Sequence, residues 1–397
     1  MSLLDIPLEK ITEADLRNLI MAKISESSHL DYKQETYKSG DDASSEFLAD
    51  ISAFANTLGG DIVIGIAEKD GEPSIFTPFR GDIDKEIRRL ESIALTGLEP
   101  RISNMRIRAI PIHSDGHVLI IRIPKSLFPP HRVIARHSNR FWARAGTAKY
   151  QPNVQQLRQL FNEAPQMAER IRSFQTDRMI KIAAGETPIS LKSWGKVVIH
   201  VIPVPSFIDG RLADILQAMI SGTHIPLPPD ELNWPKQNGA NLDGFLNYTH
   251  PHHDDRRSYA QFFRSGAIEG VAELRHEADG QSRFIGNSFT TLVIKAVQQY
   301  LEVLKAYETG LPVYVFVSLC NAIKTSYRHA PDGIGYVDTP PVGREIAILP
   351  EIYLESYDVD VPGVLRPVFN VLWNAVGLPQ CDMYDAQGQW KGATRAD

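Results

Sequence analysis

The sequence predicts an α+β protein with an N-terminal mixed sheet and flanking helices, followed by a second α+β domain. Three observations carry this. The chain has 397 residues, which at roughly 150 residues per domain means about two or three domains. Short apolar runs bounded by Gly, Pro and Asp alternate with segments whose apolar residues recur at helical spacing. A charged, partly helical stretch, 163–193, separates two such blocks. The expected organisation is therefore a domain over 1–162, a connector over 163–193, and a domain over 194–397.

The elements follow in order. Thr12 to Ile24 is expected to be helical: Thr12 can cap it, Glu13 and Asp15 sit in the first turn, and Leu16, Leu19, Ile20 and Ile24 form a stripe. His29 to Glu35 alternates like a strand, and Gly40-Asp41-Asp42 is a turn. Ser44 to Thr57 is a second helix, with Phe47, Ile51, Phe54 and Ala55 on one face. Gly59-Gly60 stops it, with Asn56 serving the same turn, and Asp61 to Ala67 is a short apolar strand. Asp84 to Ser92 is expected to be helical. Strands are expected at Met105–Ile112, Val118–Ile123 and Arg140–Ala143, and a closing helix at Val154–Asn162. In the second domain the expected strands are Lys196–Val204, Tyr259–Phe263, Ile268–Leu274 and Leu311–Cys320. The expected helices there are Leu212–Ile220, Phe289–Tyr307 and Val364–Val376.

Composition excludes several classes. With 43% hydrophobic and 23% charged residues the chain is globular, not disordered. Its two cysteines, Cys320 and Cys381, form no CxxC pair, so neither a cysteine zinc site nor a disulfide scaffold is expected. The segment MSLLDIPLEKITEADLR has no basic n-region and no apolar h-region, and no apolar run reaches membrane-span length. A cytoplasmic protein without membrane contact is expected. Net charge is -6, but it is unevenly spread. Residues 1–100 hold ten Lys+Arg and twenty Asp+Glu, while 101–149 hold ten Lys+Arg and only Asp115 as acid. That split fits a metal site facing a phosphate-binding wall, and it equally fits ordinary surface patterning.

The stretch richest in chemistry is Glu26 to Gln34, followed by Ile51 to Glu68. Asp31 and Lys33 are two apart on a strand, so both leave the same face. Glu26 precedes that strand, and Glu68 follows the apolar strand expected beside it. Three carboxylates at strand ends could hold Mg²⁺ or Mn²⁺ through oxygen, with Lys33 beside them to meet phosphate. On spacing alone, a surface Asp31–Lys33 ion pair and two unrelated acids explain the same residues.

The run Glu26-Ser27, Asp31-Tyr32-Lys33, Ser52 to Thr57, Gly59-Gly60 and Ile64-Gly65-Ile66 resembles the AlbA_2 domain of the Schlafen family. Arg144-Ala-Gly146-Thr147 resembles that family's closing strand. The resemblance spans roughly residues 20–160 in several ordered blocks. It implies a nucleic-acid-associated domain, and in the RNA-cutting Schlafens a three-carboxylate active site. By motif position those carboxylates fall on Glu26, Asp31 and Glu68. The chain has Asp at the second position where Glu is usual, and Glu at the third where Asp is usual. No P-loop pattern is present, so Gly59-Gly60 reads as a helix stop and not as a phosphate cradle.

A basic segment follows, with Arg132, Arg136, Arg140, Trp142, Arg144 and Lys149 as candidate nucleic-acid contacts. Arg140, Trp142 and Arg144 would alternate onto one strand face, where Arg can fork onto phosphate and Trp can stack on a base. In the second domain His250-Pro-His252-His253-Asp254-Asp255 has zinc-ligand types but loop-like spacing, and reads as a solvated loop. The leading function is a metal-dependent endoribonuclease acting on tRNA or other structured RNA, with a part in defence. The alternative is a non-catalytic DNA- or RNA-binding regulator. A third is a structural or assembly subunit in which the charge split serves a head-to-tail protein contact, and a homo-oligomer is among the expected partners.

Overall fold

The computed structural model describes residues 3–113, 116–135, 139–207, 222–229, 235–249, 257–329 and 335–392. The fold is α+β, and the chain divides into two units, Met1–Gln166 and Met167–Asp397.

The first unit opens with α1 (Glu13–Met21). Thr12 and Asp15 cap it reciprocally, each accepting from the other's end of the turn. Then come β1 (Leu30–Lys33), α2 (Asp41–Ala55), β2 (Gly60–Ile64), the hairpin β3 (Ile66–Lys69) and β4 (Glu72–Phe76), and α3 (Ile83–Gly97). Strands β5 (Leu98–Glu99), β6 (Arg106–Pro111), β7 (His117–Ile123), β8 (Arg132–Val133), β9 (Arg140–Phe141), β10 (Ala143–Ala145) and β11 (Ala148–Tyr150) complete it. The central sheet runs β1-β2-β7-β6, with β1 parallel to β2 and the other pairs antiparallel.

Both faces of this sheet are covered. Ile62, Ile64, Leu119 and Ile121 pack against Phe47, Ile51 and Phe54 of α2. Leu30, Tyr32, Val63, Val118 and Ile120 pack against Leu16 and Leu19 of α1. Burying each such side chain contributes about 1.5–3 kcal/mol. The period of two then decides the site. Since Leu30 and Tyr32 face α1, Asp31 and Lys33 must face α2.

The glycine pair after α2 is sterically required. Gly59 has φ +71, and a Cβ there would lie 2.5 Å from the Lys125 backbone nitrogen. A Cβ on Gly60 would lie 2.4 Å from the His29 carbonyl oxygen. The helix end thus touches both neighbouring strands through bare backbone.

Several expectations need correction. The Asp61–Ala67 run is two strands, broken at Gly65 (φ +102). Asn56 caps its own turn with its backbone, but its side chain is used elsewhere. It is buried, donates to the His131 and Trp142 carbonyls, and accepts from the His131 amide, tying α2 to the basic segment. The expected strand Arg140–Ala143 is interrupted: β9 pairs with β8, while β10 pairs with β11. The closing helix does not stop at Asn162. It runs on as α4 (Val154–Ala183) through Pro165, so most of the 163–193 connector is helix. A proline removes one helical hydrogen bond, but tertiary packing of Ile171, Met179 and Ile182 at under 2% exposure holds the rest.

The second unit is built on an antiparallel sheet whose centre is β12 (Lys196–Pro203), flanked by β13 (Ile268–Glu273) and β14 (Val313–Cys320). Helices α5 (Gly286–Ala306) and α6 (Val361–Ala375) share its larger apolar core. On the opposite face the end of α4 covers a buried polar knot. Glu269 accepts from Arg178 (2.8 and 2.9 Å), from the Tyr259 hydroxyl (2.8 Å), and pairs with His200 Nε2 (2.9 Å). Cys320 and Cys381 are buried free thiols whose pKa values burial raises to about 11 and about 12. Among the described residues no helix is long and apolar enough to cross a membrane. The expected helix 212–220 and the 250–255 histidine run lie outside the described residues.

Candidate functional site

The motif residues of β1 meet α2 and the β10–β11 hairpin in one buried cluster. Asp31 is 6% exposed. Its Oδ2 lies 2.8 Å from the Lys33 ammonium and its Oδ1 3.1 Å from the Arg144 guanidinium. Arg144 also donates to the carbonyls of Ser27 and Gly146, and its guanidinium sits 4.4 Å from the centre of the Phe54 ring. Gly146 (φ +58) makes the tight hairpin turn that returns β11 alongside. This explains the closing R-x-G-T motif. The arginine is a buried brace between the hairpin, β1 and α2.

A second carboxylate, missed in the sequence reading, stands opposite. Asp50 on α2 is 4% exposed. Its Oδ1 lies 2.6 Å from the Lys149 ammonium. Its Oδ2 accepts from the Tyr37 hydroxyl at 2.8 Å and lies 4.0 Å from Lys33. Burial opposes the charge on Lys33, but the carboxylates of Asp31 and Asp50 outweigh it and raise its pKa. Burial and the Asp50 charge push the Tyr37 phenol well above its ordinary value, so it stays a donor. Tyr37 also borders a cavity of about 440 Å³ lined by Thr36, Thr77, Phe79 and Arg89. The signal for Asp50 was present: it falls on the apolar stripe of α2, three residues after Phe47 and four before Phe54.

Glu26 and Glu68 stand differently. Glu26 accepts from the Tyr32 amide at 2.9 Å. Burial raises its pKa, as do the charges of Asp31 and Glu68, against the lowering by that hydrogen bond. Glu68 is exposed on the β3–β4 hairpin and accepts from the Gly71 amide at 2.7 Å. Among the described residues no group of three His, Cys, Asp or Glu side chains is placed to hold a metal ion.

The basic segment is used mainly within the domain. Glu9 pairs with Arg106, Glu13 with His113, Asp31 with Arg144, Asp50 with Lys149, Asp61 with Arg122 and Glu99 with Arg132. Five of these pairs join an acid of 1–100 to one of the ten Lys+Arg of 101–149, so half of that basic excess is neutralised within the domain. Arg144 faces inward instead of sharing a face with Arg140. Arg140 is exposed, and Trp142 is half-buried against the α2 side of the core. Arg136 lies outside the described residues.

Residues 26–153 match the family model described as Schlafen, AlbA_2. No curated protein matches the chain. Solved structures similar over part of it include the following two. One is the DIP2311 protein from Corynebacterium diphtheriae, with 16% identity, a TM-score of 0.26, and coverage of 37% of this chain and 29% of that one. The chain therefore spans 29% of that protein's length. The other is the N-terminal domain of a "Putative ATP-dependent DNA Helicase RecG-related Protein" from Nitrosomonas europaea. It has 19% identity, a TM-score of 0.27, and coverage of 36% of this chain and 94% of that one.

Proposed function

We propose that residues 26–153, a Schlafen AlbA_2 domain, give the chain a nucleic-acid-related function: they grip the phosphodiester backbone of RNA or DNA. The family match points to that class of function. On this chain the observation that carries it is Lys33 with Lys149. Each keeps 30% of its side chain exposed while its ammonium rests on a buried aspartate. A lysine needed only to neutralise its aspartate could be sealed, as Arg144 is at 3%. These two are held in place and still offered to solvent. Binding of labelled RNA and of duplex DNA across a salt series tests the reading, because each phosphate contact releases counterions and steepens the salt dependence.

A second reading is a metal-dependent endoribonuclease acting on tRNA-like RNA, with Glu26, Asp31 and Glu68 holding Mg²⁺ or Mn²⁺ and Lys33 meeting the developing negative charge. Two observations favour it. Asp31 Oδ2 is buried without a hydrogen bond in good geometry, although Lys33 stands beside it. Glu26 feels the charges of both other acids. Against it, Lys33 and Arg144 occupy Asp31, Glu68 caps its own turn, and the three acids do not form a metal-binding group. In this arrangement the residues do not fit a three-carboxylate metal centre. Incubating total RNA with the protein and Mn²⁺, with and without EDTA, decides between the readings: cleavage abolished by EDTA supports the nuclease, and binding without cleavage supports the grip.

A further inference from the structure

We propose that Asp50 is a positioning residue that sets Lys33 and Lys149 as a two-ammonium clamp for a single phosphodiester group, without a metal ion. The inference rests on the nucleic-acid reading above and names the part of the domain that makes the contact. Asp50 holds Lys149 at 2.6 Å through one oxygen and stands 4.0 Å from Lys33 through the other. The two ammoniums therefore straddle one carboxylate. That carboxylate is anchored from below by α2 and laterally by the Tyr37 hydroxyl at 2.8 Å, which remains protonated. Asp31 also holds Lys33, at 2.8 Å.

The donor count leaves room for a ligand. Each ammonium carries three N–H groups. Lys33 and Lys149 each keep 30% of the side chain exposed while contacting their aspartates, so neither lysine is sealed and each retains donors for a ligand. A phosphodiester presents two non-bridging oxygens, one for each ammonium. The charge count agrees. The groups in direct contact are Lys33, Lys149 and Arg144 against Asp31 and Asp50, leaving one positive charge, with Glu26 as a more distant acid. One phosphodiester carries one negative charge. A divalent cation, by contrast, would have to displace Lys33 from between the two aspartates.

The test uses the full chain, a labelled hairpin RNA, buffer with EDTA, and fluorescence anisotropy across a KCl series. Lys33→Gln, Lys149→Gln and the double variant are compared with wild type, together with Asp50→Asn. A clamp on one phosphate requires the double variant to lose about 0.7–0.9 in the slope of log K against log salt, the value for one phosphate. Two separate phosphate contacts would lose about twice that. Counting charge alone, Asp50→Asn removes a repulsive group and should bind more tightly. As a positioning residue its loss instead weakens binding by about fivefold or more, and Lys149→Gln then costs less in that background than in wild type. Asp50→Glu keeps the charge but shifts the carboxylate by one methylene. It is expected to weaken binding too, and it serves if Asp50→Asn fails to fold by circular dichroism.

Asp50→Asn binding as tightly as wild type or more tightly overturns the clamp, as does a doubled slope loss, or wild-type affinity that EDTA removes. If wild type binds and neither lysine variant changes it, the clamp fails and the broader reading survives. If wild type binds no nucleic acid, both fail.

Discussion

Arg144→Met removes the guanidinium that braces the hairpin against β1 and α2. In the fold Arg144 is 3% and Asp31 8% exposed at the side chain. The substitution keeps a long apolar stem over Phe54 but leaves Asp31 Oδ1 without its cation and removes the hydrogen bonds to the Ser27 and Gly146 carbonyls. Breaking a buried pair by removing one partner costs about 3–5 kcal/mol. For a domain of this size each kcal/mol lowers the melting temperature by about 2–4 °C. The expected drop is therefore about 6–20 °C, read by circular dichroism or calorimetry on the full chain. Arg144→Lys should recover only part of it, since an ammonium cannot reach all three acceptors in one plane. Asp31→Asn combined with Arg144→Met should cost less than the sum of the two single changes. A loss below about 1 kcal/mol in Arg144→Met, with reduced nucleic-acid affinity, would refute the brace and return Arg144 to the role of an exposed phosphate contact.

Other expectations follow from the same structure. The Glu269 carboxyl is fully buried; burial raises its pKa, but His200 and Arg178 lower it to about 2 from its ordinary 4.5. The stability it contributes is present above the unfolded value and lost as pH falls from about 4.5 to about 2. Glu269→Gln should thus be less stable than wild type at neutral pH, with the gap in melting temperature narrowing through that window; a gap independent of pH would contradict the charged knot. Gly59→Ala combines a positive φ with a backbone clash at 2.5 Å and should cost about 2–5 kcal/mol. Gly71→Ala, with φ +78 and open space, should cost only about 1–2 kcal/mol, and equal losses would show that the contact with Lys125 does not matter. Arg132→Glu should hardly change stability, because its pair with Glu99 is a surface one; a loss above about 1 kcal/mol in thermal unfolding would show otherwise.

Much of the fold was legible because local rules and tertiary packing agree along most of the chain. The stripe Phe47, Ile51, Phe54 does form the buried face of α2, and period two does bring Asp31 and Lys33 to one face. The closing helix, expected to end at Asn162, runs on through Pro165, where packing of the later turns overrides the local break. The charge asymmetry was visible, but its use was not. Arg144 and Asp31 are 113 residues apart, and no local pattern says that an arginine in a basic run will turn inward. Asp50 went unseen for a different reason. Apolar periodicity registers which positions are greasy, and a single acid within the stripe breaks the pattern too little to register. Such an acid must find cations once buried, and here it finds Lys149 with Lys33 nearby.

The most direct test of the central claim is equilibrium binding of the full chain to a labelled structured RNA and to duplex DNA, in EDTA, from low to physiological salt. The account expects saturable binding to at least one of them without any metal, with log K falling linearly against log salt. Absence of saturable binding to both at low salt would contradict it.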